Sequence, residues 1–163
     1  MQLWEINPEF WGIMIITQAS DADAEEILDL QKLAYQSEAA IYQDYTIPPL
    51  TQTLAEIKAE IRGRHVLKAV AGGRIQGSVR ASLEQGTCCI GRLIVHPAYQ
   101  NRGLGTKLMQ EIEARFPDAQ RFELFTGHLS ERNLYLYQKL GYRPVRREPV
   151  SAKLTMIFME KNV

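Results

Sequence analysis

The chain has 163 residues, of which 45% are hydrophobic and 23% are charged, as in ordinary globular proteins and unlike disordered segments or disulfide scaffolds. Its 19 Lys and Arg residues equal its 19 Asp and Glu residues, so no global field favours binding to nucleic acid or to an anionic membrane. A chain of this length predicts a single domain over residues 1–163.

Membrane spans and metal sites are not expected from this sequence. No apolar stretch approaches the roughly 20 residues that span a bilayer, and the first residues lack the features of a secretory signal. We therefore expect a cytoplasmic protein. The cysteines, Cys88 and Cys89, are adjacent in a predicted strand, where successive side chains point to opposite faces. This arrangement disfavours a mutual disulfide and a shared metal site.

The first half of the chain predicts a strand followed by two helices. Residues 1–12 form an N-terminal extension before a β-branched run at 13–17, which predicts the strand. Good N-cap residues then precede a helical stretch at 22–35. A Pro-containing break at 46–49 separates it from residues 54–63, where apolar residues recur at helical spacing.

The middle of the chain predicts an antiparallel meander and a further helix. Three β-rich runs, at 65–71, 75–83 and 87–95, are separated by glycine-containing turns. Pro97 stops the third strand. An amphipathic helix then begins at Leu104 and ends before a Phe-Pro pair.

The last part predicts a strand at 122–126, a helix at 131–140 and two closing strands at 142–147 and 154–160. The element order is therefore β-α-α-β-β-β-α-β-α-β-β. This order predicts a mixed α/β (α+β) fold that contains an antiparallel meander.

A glycine-containing turn, Gln100–Thr106, joins the third strand of the meander to the next helix. A helix start presents unpaired backbone N–H groups and a partial positive charge, so it binds phosphates readily. Gly103 and Gly105 allow close approach of a ligand, and Arg102 adds a cation. The turn lacks the order of residues in a Walker loop and the third glycine of the dinucleotide motif. A protein that binds another nucleotide or phosphate through this turn stays an alternative.

Two segments around this turn carry a family resemblance. Residues 90–105 strongly resemble the central motif of the GNAT superfamily of N-acetyltransferases, Gln/Arg-x-x-Gly-x-Gly/Ala after a Val-x-Pro strand end. Residues 130–142 are similar to the family's Asn-x-x-x-Tyr-x-x-x-Gly-Phe/Tyr helix, and residues 156–161 resemble its closing strand. The resemblance implies the GNAT fold, in which a mixed, mostly antiparallel central sheet is flanked by helices. It also implies an enzyme that transfers an acyl group, most simply acetyl, from acetyl-CoA to a primary amine of a small molecule, peptide or protein.

The resemblance also implies which residues bind the cofactor, acetyl-CoA. In that family a strand backbone holds the pantetheine arm, the glycine turn holds the pyrophosphate and an Asn contacts the cofactor further along. The corresponding residues are Leu93, Ile94, Val95, Gln100, Arg102, Gly103, Leu104, Gly105, Thr106 and Asn133. Because dimers are common in the family, a homodimer is left open as an assembly.

Acyl transfer needs a proton donor for the leaving thiolate and an acceptor for the proton of the amine. Asn133 and Tyr137 are four apart in a predicted helix and share a face, and Tyr137 matches the family's usual general acid. Many members of that family have a Glu as the general base on the strand where this chain has Gly91 and Arg92. The family's base therefore cannot be assigned to a residue of this strand. His128, after the strand at 122–126, is a candidate base.

In the GNAT fold the binding site for the acceptor is usually formed by the region between the first two helices, which is residues 36–45 here. There Glu38 and Tyr42 are candidates for contacting a cationic amine. The missing strand Glu also keeps a second reading open, a non-catalytic module that binds CoA and regulates another process.

Overall fold

The computed structural model describes residues 2–5 and 13–163. The strands are β1 (Gln2–Glu5), β2 (Ile13–Gln18), β3 (His65–Ala71), β4 (Arg74–Glu84), β5 (Thr87–Val95), β6 (Arg121–Gly127), β7 (Arg143–Pro149) and β8 (Thr155–Asn162). The helices are α1 (Ala24–Ala34), α2 (Gln36–Tyr42), α3 (Pro48–Thr51), α4 (Leu54–Gly63), α5 (Leu104–Ala114) and α6 (Glu131–Lys139). The mixed α/β class and the mostly antiparallel sheet are confirmed.

The strands described form one sheet in the order β1-β2-β3-β4-β5-β6-β8-β7. All neighbours are antiparallel except β5 and β6, which run parallel. The parallel pairing joins only the starts of these strands, from Thr87 opposite Arg121 to Cys89 opposite Glu123. Beyond that point β5 and β6 have no pairing with each other, so the sheet opens between their carboxyl ends.

The predicted N-terminal extension lies partly in the sheet. β1 pairs antiparallel with β2, with Gln2 opposite Ile16 and Glu5 opposite Ile13. Residues 1 and 6–12 lie outside the described residues.

Apolar side chains pack on both faces of the sheet. On one face, α5 and the buried side of α6 cover the central strands, with Leu104, Leu108 and Ile112 of α5 almost fully buried. On the other face, α1 and α4 pack against the sheet through Ile27 and Ile57. The helical spacing of these residues gives each helix one apolar stripe, and its burial fixes which face each helix covers.

A glycine in β4 allows the close approach of α5. A β-carbon on Gly77 would lie 2.8 Å from Leu108 Cδ1 and 3.1 Å from the carbonyl oxygen of Ile94. Any larger residue would push α5 away from the sheet. This contact sets the position of the α5 amino terminus beside the end of β5.

The segment between α1 and α4 contains more helix than the sequence predicts. Residues 36–42 form α2 after a change of direction at Tyr35, and α3 begins at Pro48 inside the predicted break. A proline is compatible with the first turn of a helix because its missing N–H would have no partner there. The consequence is that Glu38 lies on a helix packed beside the sheet opening.

Candidate active site

A cleft of about 780 Å³ lies where β5 and β6 separate. Its walls come from the end of β5, the amino terminus of α5, the start of α6 and the segment from α1 to α2. Such a position gathers backbone groups from a strand and a helix start with side chains from the flanking helices. A volume of this size is in the range that small-molecule sites occupy.

The α5 end of the cleft is built by a left-handed glycine. Gly103 is the N-cap of α5 and has φ +88°, a conformation that glycine adopts without steric cost. Leu104, Gly105 and Thr106 form the first turn and line the cleft. Their N–H groups are those that have no acceptor within the helix, so this end suits an anionic ligand.

The β5 wall supplies backbone in an extended conformation. Leu93, Ile94 and Val95 line the cleft, and β6 does not pair with them. On its other edge the strand pairs with β4, with Ile94 opposite Ser78 and Val95 opposite Gly77. The edge of β5 that faces the opening can therefore hydrogen-bond to an extended ligand, as an added strand would.

The turn between β5 and α5 is connected to α6 by a side chain that the sequence does not single out. Arg132 donates from Nη1 to Oε1 of Gln100 at 2.7 Å and from Nη2 to Oδ1 of Asn101 at 3.1 Å. Gln100 in turn donates from Nε2 to the carbonyl oxygen of Val95 at 3.3 Å. These bonds hold the turn against the end of β5 and the start of α6.

The structure brings together nearly all the residues expected to bind the cofactor. The cleft-lining residues among them are Leu93, Ile94, Val95, Gln100, Gly103, Leu104, Gly105, Thr106 and Asn133. Arg102 is exposed and is not one of the residues that line the cleft.

Glu38 lines the cleft opposite β5 and accepts hydrogen bonds from α6 and the residue before it. Ser130 donates from Oγ to Glu38 Oε2 at 2.5 Å, and Asn133 lies with Nδ2 3.4 Å from Glu38 Oε1. The Ser130 hydroxyl and the Tyr42 hydroxyl are 2.7 Å apart. The sequence predicts Ser130 as an N-cap, and it holds that position, but its hydroxyl bonds to Glu38 and Tyr42 and does not cap α6.

Tyr42 is not a residue of the cleft wall. Its side chain is 4% exposed, and its hydroxyl accepts a hydrogen bond from the backbone N–H of Leu129 at 3.0 Å. Burial raises the pKa of Tyr42, against the opposing effect of its bond with Ser130. The expectation of a substrate contact at Tyr42 stays a prediction, and the position of the ring favours a role in holding Ser130.

Tyr137 lies deep in the core of the sheet face that α5 and α6 cover. Its side chain is 7% exposed, and its ring centroid is 6.1 Å from that of Tyr142. Burial raises the pKa of Tyr137, and the fields of Tyr35 and Glu38 act in the same direction. Tyr137 is not one of the cleft-lining residues, and its raised pKa keeps it protonated at neutral pH.

His128 takes part in a backbone contact beside the cleft. Its Nδ1 accepts a hydrogen bond from the N–H of Thr155 at 3.0 Å, and its ring centroid is 5.9 Å from that of Tyr42. His128 is not one of the cleft-lining residues. Its assignment as a base stays a prediction, and this position does not favour it.

Arg92 occupies the strand region where many relatives have a Glu. Between the pairs Ser78–Ile94 and Arg80–Gly91 the register shifts, because β5 has one residue more than β4 there. Arg92 lies in this β-bulge with φ +49°, and its Nε is buried with no hydrogen-bond partner among the described residues.

Tyr35 lines the cleft next to this bulge, and its pKa reflects its surroundings. Burial raises the pKa of Tyr35, while the nearby positive charge of Arg92 lowers it and Glu38 raises it further. The side chain of Tyr35 is therefore subject to opposing effects from a cation and a carboxylate. Tyr35 is a cleft residue that the sequence did not indicate.

Within the described residues no group of three or more His, Cys, Asp or Glu side chains is placed to hold a metal ion. Cys88 is buried and Cys89 is partly exposed, as expected of adjacent strand residues. Across the part of the chain that the structure describes, no helix is long and apolar enough to cross a membrane.

Known proteins share both the sequence pattern and the fold. The sequence profile of the acetyltransferase (GNAT) family matches residues 24–142. UPF0157 protein YqkA of Bacillus subtilis (strain 168) is 28% identical over 120 residues, which are 74% of this chain and 34% of that protein. The chain thus spans about a third of the length of that relative.

Among solved structures, the PaiA N-acetyltransferase of Thermoplasma acidophilum, in complex with coenzyme A, is similar with a TM-score of 0.77 and 17% identity. The match covers 92% of this chain and 99% of that one. YncA of Salmonella typhimurium, with its cofactor acetyl-CoA, is similar with a TM-score of 0.70 and 25% identity, over 91% of this chain and 93% of that one. The profile match extends over most of the chain and includes both motifs, and the chain belongs to the acetyltransferase (GNAT) family.

Proposed function

We propose that this protein transfers an acetyl group from acetyl-CoA to a primary amine by direct attack of the amine on the thioester. The observation that carries the proposal is the cleft, which joins an anion-binding helix start to an unpaired strand edge. A ligand with a diphosphate at one end and an amide-containing arm at the other matches both walls. Coenzyme A has that chemistry, and two similar structures were solved with it or with its acetyl form.

Each wall has a separate part in the proposed reaction. The first turn of α5 binds the pyrophosphate, and the edge of β5 from Leu93 to Val95 binds the pantetheine arm. When bound, acetyl-CoA supplies an acyl carbon activated as a thioester. A backbone N–H near Val95 can polarise the thioester carbonyl, because a donor held by the fold needs no reorganisation during the reaction.

Tyr137 is the proposed proton donor to the leaving sulfur. Burial raises the pKa of Tyr137, so its phenol keeps its proton at neutral pH and can donate it as negative charge develops on the leaving sulfur. The assignment is supported by Asn133, which lines the cleft beside Glu38 and lies one turn before Tyr137 on α6. The acceptor amine is expected to enter between α2 and the start of α6.

A second candidate function is a non-catalytic module that binds CoA. The observation that favours it is Arg92, which stands where many relatives have the strand Glu and has no capacity to accept a proton. Both candidates require CoA binding. They differ in turnover.

The two candidates are separated by incubating the protein with acetyl-CoA and a panel of primary amines. Free thiol and the N-acetylated amine are followed together, the second by mass spectrometry. The proposed function predicts equal amounts of both products with at least one amine. CoA binding without N-acetylation of any small amine, peptide or protein amine in the panel would favour the module.

Competition of CoA with ATP and NAD for binding to the protein tests the cofactor site itself. A preference for either nucleotide would contradict both candidates.

A further inference from the structure

The cleft contains a carboxylate on a different element from the strand that many relatives use. At the β-bulge of β5 the side chain is a guanidinium, Arg92, which donates hydrogen bonds and cannot take a proton. The carboxylates that line the cleft within the described residues belong to Glu38 of α2 and Glu131 of α6. A proton acceptor for the amine must therefore be sought on the helices.

Glu38 is the more strongly oriented of these two carboxylates. One of its oxygens accepts from Ser130 at 2.5 Å, and the other faces the amide of Asn133 at 3.4 Å. A carboxylate has about four acceptor positions, so these two bonds fix its orientation and leave others directed to the cleft. Glu131 is exposed at the first position of α6.

The hydrogen bonds behind Glu38 have a defined direction. The N–H of Leu129 donates to the Tyr42 hydroxyl, and Ser130 uses its one proton on Glu38. The proton between Tyr42 and Ser130 must then come from Tyr42. Three donors in series point at Glu38, and Ser130 is 2% exposed, so the chain is shielded from water. Such a chain holds the Glu38 carboxylate in one orientation.

We propose that Glu38 receives the ammonium group of the acceptor and removes its proton, with Ser130 and Tyr42 as positioning residues. This inference rests on the proposed function. Glu38 faces Asn133 Nδ2 at 3.4 Å, and Asn133 lies one helical turn before Tyr137, the proposed proton donor, on α6. Base and acid therefore lie on two helices that the Ser130–Glu38 bond connects.

The proposed step balances as follows. The acceptor ammonium loses one proton to Glu38, and its nitrogen forms a bond to the acyl carbon while the carbon–sulfur bond breaks. The nitrogen loses a second proton to solvent as the amide forms, and the leaving sulfur gains one from Tyr137. Solvent then removes the proton from Glu38 and restores the one on Tyr137. The products are an amide, a free thiol and one proton released to solvent.

The experiment compares Glu38→Gln with Glu26→Gln on two nucleophiles at neutral pH. Glu26 is a matched control because it accepts a bond from the N–H of Ile75, at 2.8 Å, and does not line the cleft. With an alkylamine, which is protonated at that pH, Glu38→Gln should lower kcat/KM by about 100-fold or more. With hydroxylamine, which is uncharged, the loss should be less than about tenfold. Equal losses on both nucleophiles, or a selective loss in Glu131→Gln and none in Glu38→Gln, would overturn the proposal.

A second readout does not depend on turnover. Binding of the alkylamine to the protein without acetyl-CoA is measured by calorimetry, and Glu38→Gln should weaken it at least about tenfold while the affinity for CoA stays within about twofold. Unchanged amine binding would overturn the role of Glu38. Ser130→Ala should reproduce part of the selective loss on the alkylamine, and Glu38→Asp should restore more activity than Gln. If the wild-type protein acetylates no amine, the proposed function itself fails. If the wild type acetylates an amine and the Glu38→Gln variant is equally active, only this inference fails.

Discussion

Tyr42 packs directly on Gly127, so that the hydroxyl of Tyr42 and part of its ring occupy the space where a β-carbon of residue 127 would be. Gly127 ends β6, and Tyr42 ends α2. The absence of a side chain at Gly127 is what lets α2 approach the end of β6. This contact brings the chain of hydrogen bonds from Leu129 to Glu38 into the cleft wall.

Gly127→Ala should therefore destabilise the protein and displace Tyr42. Overpacking of this kind costs typically 1–3 kcal/mol, and we expect a loss of about 2–3 kcal/mol in the free energy of unfolding, measured with urea. Gly91→Ala is the control, because a β-carbon there has no heavy atom within 4 Å beyond its chain neighbours. A Gly127→Ala protein as stable as Gly91→Ala would contradict the packing described.

Gly103→Val should weaken CoA binding. Valine is strained at φ +88°, so the first turn of α5 must shift. Its N–H groups then no longer point at the pyrophosphate. We expect at least about a tenfold rise in the Kd for CoA, or about 1.4 kcal/mol, measured by calorimetry.

The matched control for that variant is Gly73→Val. Gly73 has φ +75° in the turn between β3 and β4 and does not line the cleft. Both variants should lose about 1–3 kcal/mol of stability from strain, but only Gly103→Val should lose CoA affinity. Equal Kd values for CoA in the two variants would show that the first turn of α5 does not bind CoA.

Tyr137→Phe should lower turnover much more than CoA binding. The substitution keeps the ring in the core and removes the proposed proton donor, so kcat should fall by about 100-fold while the Kd for CoA changes less than about twofold. Tyr45→Phe is a suitable control because Tyr45 is 58% exposed and does not line the cleft. A kcat equal to that of Tyr45→Phe would exclude Tyr137 as the acid.

Alkaline pH should destabilise the fold through buried tyrosines. Burial and the hydrogen bond that Tyr142 donates to Glu113, at 2.7 Å, raise the pKa of Tyr142 above the ordinary value of about 10. Above that pH the unfolded chain ionises at this residue and the folded chain does not, so the unfolded state binds fewer protons. Stability therefore falls as pH rises, by up to about 1.4 kcal/mol per pH unit for one such group.

The measurement is the free energy of unfolding at pH 8 and at about pH 11 for the wild type and Tyr142→Phe. The variant should be less stable at pH 8, where the hydrogen bond to Glu113 is lost, and should lose less stability between the two pH values. Parallel losses in the two proteins would show that Tyr142 ionises equally in the folded and unfolded states.

The sequence predicted those parts of the site that are local in the chain. The glycine turn, the strand before it and the helix after it are contiguous, and each has its own signal: a β-rich run, a Pro stop and an apolar stripe at helical spacing. The family resemblance assigned Leu93 to Val95 and Gly103 to Thr106 to one cofactor site, and these residues line one cleft. Glycine at position 103 was predicted for ligand approach, and the structure adds the left-handed φ of +88°.

The acceptor side was less accessible to sequence reasoning because its contacts join distant segments. Ser130 and Glu38 are 92 positions apart, and Arg132 is 32 positions from Gln100. No periodicity links such pairs. Residues 36–42 were placed in a connecting region, so the helix that orients Glu38 was not foreseen. A polar Ser-Glu-Arg-Asn start on α6 was visible, but its partners depend on how α2 packs.

The most direct test of the account is a crystal structure of the protein with CoA and an unreactive acceptor amine. The account predicts the pyrophosphate at the first turn of α5, the pantetheine arm along Leu93–Val95 and the thiol between Tyr137 and the amine, with the ammonium group on Glu38. A CoA molecule bound away from this cleft, or one whose thiol lies far from both Tyr137 and Glu38, would contradict it.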